Sequence, residues 1–129
     1  MNSILRKITL FSAMTLFIVG LGTNCFAKDR YYFISVAGTG SDHTSTYTNS
    51  EGMRLNGWCH QGSVDVVIQY RYFSTNMYFK VPGCKSTLKA GKSCSLYANP
   101  DYSKEMRGYI EANWNFFGSY GDADLIVYE

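Results

Sequence analysis

No Gly-x-Ser-x-Gly elbow, phosphate-binding glycine loop or recognised metal-ligand spacing occurs in this sequence, and it has only two histidines, His43 and His60. Those absences remove the usual signatures of serine hydrolases, nucleotide-binding enzymes and zinc sites. A charge excess is missing as well. Twelve Lys and Arg face ten Asp and Glu, and Arg6 and Lys7 lie in an N-terminal leader, so 12 less 2 leaves ten against ten. A balanced chain carries no electrostatic footprint for nucleic acid. There is no internal repeat and, beyond the leader, no long apolar run.

The leader itself is well defined. Arg6 and Lys7 precede an apolar stretch, Ile8 to Leu21, and Gly22 to Ala27 ends with Cys25 and Ala27 at the small-residue positions of a cleavage site. The stretch is short for a membrane span. Residues 1–27 are expected to be a signal peptide and 28–129 a single exported domain, secreted or periplasmic, with no membrane span once the leader is gone. Of the 129 residues, 129 less 27 leaves 102, enough for one modest core.

Strand signals dominate that domain. Arg30–Val36 is aromatic and β-branched. In 64–73, Val64, Val66, Ile68, Tyr70 and Tyr72 alternate with Asp65, Val67, Gln69 and Arg71. Ser74-Thr75-Asn76 reads as a turn, and Met77, Phe79 and Val81 carry the pattern on to Pro82-Gly83. Cys94, Leu96 and Ala98 alternate with Ser95 and Tyr97, and Asn99-Pro100-Asp101 is a turn. Tyr102–Met106 is expected to form a short helical turn. Ile110, Ala112, Trp114 and Phe116 are expected on one face of the next strand, and a final strand runs from Ala123 to Tyr128. The polar segment 38–52 reads as a long loop or an edge. Short alternating strands with frequent turns predict an all-β antiparallel sandwich or barrel.

Cys84 and Cys94 flank a glycine-containing loop with Lys85, Lys89 and Lys92 on it. In an oxidising compartment the pair reads as a disulfide, the alternative being two buried free thiols. The run Cys84-x-x-Thr87-Leu88-x-x-Gly91-x-Ser93-Cys94-x-Leu96, followed by Pro100 and Gly108, resembles a segment of bacterial secreted immunoglobulin-like β-sandwich domains related to the ASH and major-sperm-protein group. That resemblance implies an immunoglobulin-like sandwich used for adhesion, assembly or scaffolding, without catalysis.

Cys59 is the odd thiol. Three readings are open: a nucleophile with His60 or His43 as its base, an intermolecular disulfide that makes a dimer, and an inert buried thiol beside Trp58. Neighbouring strand residues point to opposite faces, which sets His60 away from Cys59.

Eighteen aromatic residues remain when Phe11, Phe17 and Phe26 are removed from 21. Tyr78, Tyr97, Tyr109 and Tyr128 fall in the outward register and, with Lys85, Lys89 and Lys92, form a candidate binding surface. The expected function is therefore a non-catalytic module that binds a protein or a glycan, without cofactor or metal. The alternatives are a secreted toxin or inhibitor acting through its loops and a small cysteine-dependent hydrolase.

Overall fold

A computed structural model describes residues 29–129; the leader lies outside the described residues. Nine strands follow one another: β1 Arg30–Gly38, β2 Ser41–His43, β3 Tyr47–Asn49, β4 Met53–Gln61, β5 Ser63–Arg71, β6 Tyr78–Lys89, β7 Ser93–Ala98, β8 Asp101–Ala112 and β9 Ser119–Val127. Among the described residues there is no helix. All strand pairs are antiparallel. One sheet has the order β1-β9-β4-β7 and the other β2-β8-β5-β6, with β3 also laid along β8.

The predicted antiparallel sandwich is thus what the chain forms, and its strand order refines the immunoglobulin-like expectation. An immunoglobulin domain sets strands A, B, E and D against C, F and G. Here each sheet alternates strands from the two halves of the chain, which is the double Greek key of a jelly roll.

Alternation explains the core. Val64, Val66 and Ile68 on β5 and Ile110 on β8 meet Met53 and Leu55 on β4 and Leu125 on β9, all fully buried. Ile34, Val36, Leu88, Leu96, Met106 and Val127 close the periphery. Glycines on the inner face let the sheets approach. A Cβ added to Gly57 would lie 2.7 Å from Val66 Cγ2.

Two expectations change and one open choice is resolved. The segment expected as a helical turn, Tyr102–Met106, is part of β8, because Tyr47 and Thr48 pair with Met106 and Glu105 on one side while Tyr70 pairs with Met106 on the other. Backbone pairing on both flanks outweighs a weak local helical preference. Of the two readings for 38–52, loop or edge, the edge is what forms in part, because β2 and β3 are short edge strands on β8. Trp114 and Phe116 do not continue the inner face. The chain leaves the sheet after Ala112 and turns at Asn115–Gly118, where Gly118 N–H donates to the Asn115 carbonyl at 2.9 Å.

The connections gather at two ends. Loops 39–40, 62, 90–92 and 113–118 share one end, tied together by hydrogen bonds such as Ala112 N–H to Gly40 C=O and Asn113 N–H to Ser63 C=O. Loops 50–52, 72–77 and 99–100 share the other. Fully buried Asn49 ties 50–52 to 99–100, accepting from Gly52 N–H at 2.8 Å and donating to the Asn99 carbonyl at 2.8 Å.

Candidate functional site

An open cleft of about 730 Å³ lies at that second end, between the β5–β6 loop and the start of β8. Tyr70, Tyr72, Phe73 and Tyr102 supply its aromatic wall, and Arg71, Lys104, Glu105, Thr48, Ser74 and Ser103 its polar one.

The loop is held in shape by its own residues. Tyr72 N–H donates to the Met77 carbonyl at 2.8 Å. Thr75 Oγ1 donates to the Tyr72 carbonyl at 2.6 Å and accepts from Met77 N–H at 3.0 Å. This closure ends the β5 alternation, so Tyr72, expected on the inner face, is exposed. It also puts Phe73 at φ +51°, the left-handed region that a bulky residue seldom occupies, with 79% of its surface open. Strain of this kind gathers at ligand sites. The Phe73 ring meets Tyr72 edge-on at 4.5 Å, and Tyr72 meets Phe79 at 5.5 Å. Across the cleft Tyr102 is 72% exposed.

Polar groups between the rings are aligned. Arg71 Nη2 donates to Glu105 Oε1 at 2.7 Å, while Arg71 Nε is buried without a hydrogen-bond partner. Lys104 Nζ lies 5.2 Å from the Tyr70 ring centre and 3.6 Å from Asp101 Oδ2. Asp101 accepts from the Ser103 hydroxyl and N–H, and these bonds together with Lys104 hold its carboxyl below the usual carboxylate range.

The outward tyrosines do not form one surface. Tyr78 and Tyr109 lie on the β5–β6–β8 sheet, Tyr97 and Tyr128 on the opposite one. Each pair is gathered around an arginine of the chain itself. Arg107 stacks over Tyr78 at 3.6 Å and reaches Tyr109 at 5.9 Å. Arg54 covers Tyr97 at 5.2 Å and donates from Nε to Tyr128 Oη at 3.2 Å. Lys85 faces Asp65 at 3.8 Å, and Lys89 and Lys92 belong to the opposite end of the sandwich. Sequence alone points to these tyrosines because each falls in the outward register of its strand. The cleft residues sit at a turn, where no period marks them; the only local signal was the adjacent aromatic pair Tyr72-Phe73 before Ser74-Thr75-Asn76.

The three described cysteines are separate thiols in the structure. The turn Lys89–Lys92, closed by Lys92 N–H donating to the Lys89 carbonyl, carries the chain from β6 in one sheet to β7 in the other. Cys84 Sγ donates to the Tyr97 carbonyl at 3.3 Å. Cys84 is buried and Cys94 half-buried, and no bond joins them in the structure.

Cys59 faces the core, 2% exposed, with Sγ donating to the carbonyls of Gln61 at 3.4 Å and Gly62 at 3.6 Å. Its neighbour His60 points outward and bonds Asp122 Oδ2 at 2.8 Å, while His43 Nδ1 is engaged by the Thr44 carbonyl. No imidazole is hydrogen-bonded to the thiol. Burial pushes all three thiols up from their ordinary pKa. A thiol that is neutral and enclosed neither attacks nor reaches a partner's sulfur unless the sheet opens. Native protein at neutral pH is therefore expected to leave Cys59 and Cys84 unmodified by a maleimide over minutes, while denatured protein reacts at Cys59, Cys84 and Cys94. Peptide mapping with and without denaturant checks this; a Cys84–Cys94 linked peptide, or rapid native labelling of Cys59, would contradict it. Among the described residues no three His, Cys, Asp or Glu side chains come together in a group able to hold a metal.

No family model and no curated protein sequence matches the chain. Solved structures do. The Yersinia pseudotuberculosis-derived mitogen is similar over 81% of this chain and 88% of its own, at 9% identity and a TM-score of 0.45. The CBM22-2 xylan-binding domain of Paenibacillus barcinonensis Xyn10C is similar over 80% and 89%, at 10% identity and 0.45. PirA is similar over 84% of this chain and all of its own, at 11% and 0.40. The likeness is one of fold. The cleft and its residues stand on this chain's own geometry.

Proposed function

We propose that this domain is a non-catalytic glycan-binding module of an exported protein, with the cleft between the β5–β6 loop and β8 as its site. The observation that carries this reading is the pairing of open aromatic rings with an aligned Arg71–Glu105 pair in one preformed recess. A sugar ring offers an apolar C–H face and a rim of hydroxyls. Phe73 and Tyr102 present rings to the former. Arg71 and Glu105 present a donor and an acceptor to the latter, and charged groups make the stronger hydrogen bonds. Export is supported by the leader pattern of residues 1–27, and the absence of catalysis by the enclosed, unactivated Cys59.

Titration calorimetry following a glycan-array screen tests the proposal. Tyr102→Ala is expected to weaken the best array ligand about tenfold, roughly the 1.4 kcal/mol a stacked ring contributes. Phe73→Asn is expected to do the same while keeping the left-handed backbone, which asparagine accepts. Arg71→Met should remove binding to background. An array without ligands, or a ligand whose affinity none of the three changes alter, would sink the glycan reading. Capture of a folded protein through the same three residues would replace the ligand class and keep the cleft.

A further inference from the structure

The opposite end of the sandwich carries a second feature for which the cleft has no use. In the connection between β8 and β9, Trp114, Phe116 and Phe117 are 81%, 80% and 77% exposed. Three large aromatic side chains in four residues, all in water, are not needed by the fold. Single exposed hydrophobic residues are ordinary, but contiguous ones mark an interaction site. The loop that bears them is nevertheless anchored. Phe117 N–H donates to Asn115 Oδ1 at 2.9 Å, and Gln61 Nε2 donates to the carbonyls of Phe117 and Gly118 at 2.8 and 3.1 Å. The rings are therefore presented on a fixed base.

Two lysines stand at the same end. Lys89 pairs with Ser63, whose carbonyl receives Asn113 N–H, and the Lys92 carbonyl receives Cys59 N–H two residues before Gln61. Neither lysine makes an ion pair among the described residues, whereas Asp122 on the first part of β9 is held by His60. Cations beside an apolar tip are complementary to anionic headgroups over acyl chains.

Shape selects among partners. The tip is a projection, with Phe116 and Phe117 meeting edge-on at 5.1 Å. A projecting knob requires a protein partner with a matching pocket. A fluid bilayer interface requires no matching shape, and indole and phenyl rings favour that interface. We propose that the β8–β9 loop is a membrane-surface docking tip. Trp114, Phe116 and Phe117 enter the interface of an anionic bilayer, and Lys89 and Lys92 hold its headgroups. Because the cleft lies at the other end, a docked molecule keeps its glycan site facing away from the bilayer.

Trp58 and Trp114 are the two tryptophans, so Trp58→Phe leaves Trp114 as the sole indole reporter. The exported chain bearing this change is mixed with vesicles of phosphatidylcholine alone or with a third phosphatidylglycerol. Trp114 emission is expected to shift to the blue on the anionic vesicles and to be quenched by lipids carrying a quencher in the upper acyl region. Serine at 114, 116 and 117 together is expected to lower vesicle co-sedimentation at least tenfold with an unchanged thermal midpoint, since all three side chains are solvent-exposed. Lys89→Glu and Lys92→Glu should each lower it about fivefold or more, on the ~1 kcal/mol each basic residue contributes near such a surface. Unchanged Trp114 emission on anionic vesicles would overturn the proposal, as would a triple variant that sediments like the parent. So would lipid-free self-association that the triple variant abolishes, because the tip would then belong to a second copy of the chain.

Discussion

Gly121→Val is expected to abolish the cooperative unfolding transition of this domain. Gly121 lies on β9 with its α-carbon turned inward, and an added Cβ would sit 2.7 Å from the carbonyl oxygen of Trp58 and 3.1 Å from both methyl groups of Val64. The first contact is backbone of β4, and the second belongs to a fully buried side chain on β5 of the facing sheet. Neither can move without shifting a strand. Over-packing a filled core costs about 1–3 kcal/mol and more where backbone must shift, against ~5–15 kcal/mol for a whole domain. Gly121→Ala, with one carbon instead of three, is expected to lose about 2–3 kcal/mol and to retain a transition. Urea titration followed by far-ultraviolet circular dichroism measures both. A valine variant with the parent's midpoint would show that the sheets have slack at this point and that the inner glycines are not required for their approach.

Asn49→Leu carries the second large effect, at the other end of the core. Its amide donates to the Asn99 carbonyl and, at 3.4 Å, to Met106 Sδ, and its carbonyl accepts from Gly52 N–H. A single side chain thus satisfies backbone groups in two turns and packs against β8. Leucine fills similar space but strands the buried Gly52 N–H, at about 1–3 kcal/mol, and the part-buried Asn99 C=O at less, so a loss of about 2–4 kcal/mol is expected. Those turns adjoin the start of β8, and glycan affinity should fall with stability. Asn49→Asp refines the test. A carboxylate there would face the Asn99 carbonyl, so its folded pKa should lie above the unfolded value near 4. A raised carboxyl pKa gives stability that is present below the unfolded pKa and is lost as pH rises through the folded one. The aspartate variant should therefore be firmer at pH 3.5 than at pH 7 relative to the parent. Equal deficits at both values would mean that the hydrogen bonds of Asn49 are not what holds these turns.

Period-two alternation made most of the sandwich legible from sequence. The residues that alternation puts on one face of each strand, Val64, Val66 and Ile68, Leu96 and Ala98, and Ile110 and Ala112, all face inward. What failed has a common cause: alternation carries no marker for where a strand stops. Tyr72 and Trp114 each extend an inward series by one step. Each instead sits just past the strand end, because a turn closed by Thr75 in one case and Asn115 in the other redirects the chain. These over-extensions hid both functional candidates, since the cleft and the aromatic tip are built from residues that resembled more core. Sheet partners were also invisible. Nothing local to Tyr102–Met106 indicates that Tyr47 and Tyr70 flank it, and nothing local to the cysteine loop indicates that Cys84 and Cys94 fall in different sheets.

The order of the strands also sets when folding can happen. β1 pairs within its sheet with β9 alone, Arg30 against Val127 and Gly38 against Ser119. The strand that leaves the ribosome first thus waits for one of the last, and β4 cannot be enclosed until β9 is in place beside it. Pairings so distant in sequence make folding slow and tie it to the arrival of β9. A nascent chain of this topology stays open and threadable until β9 has been made.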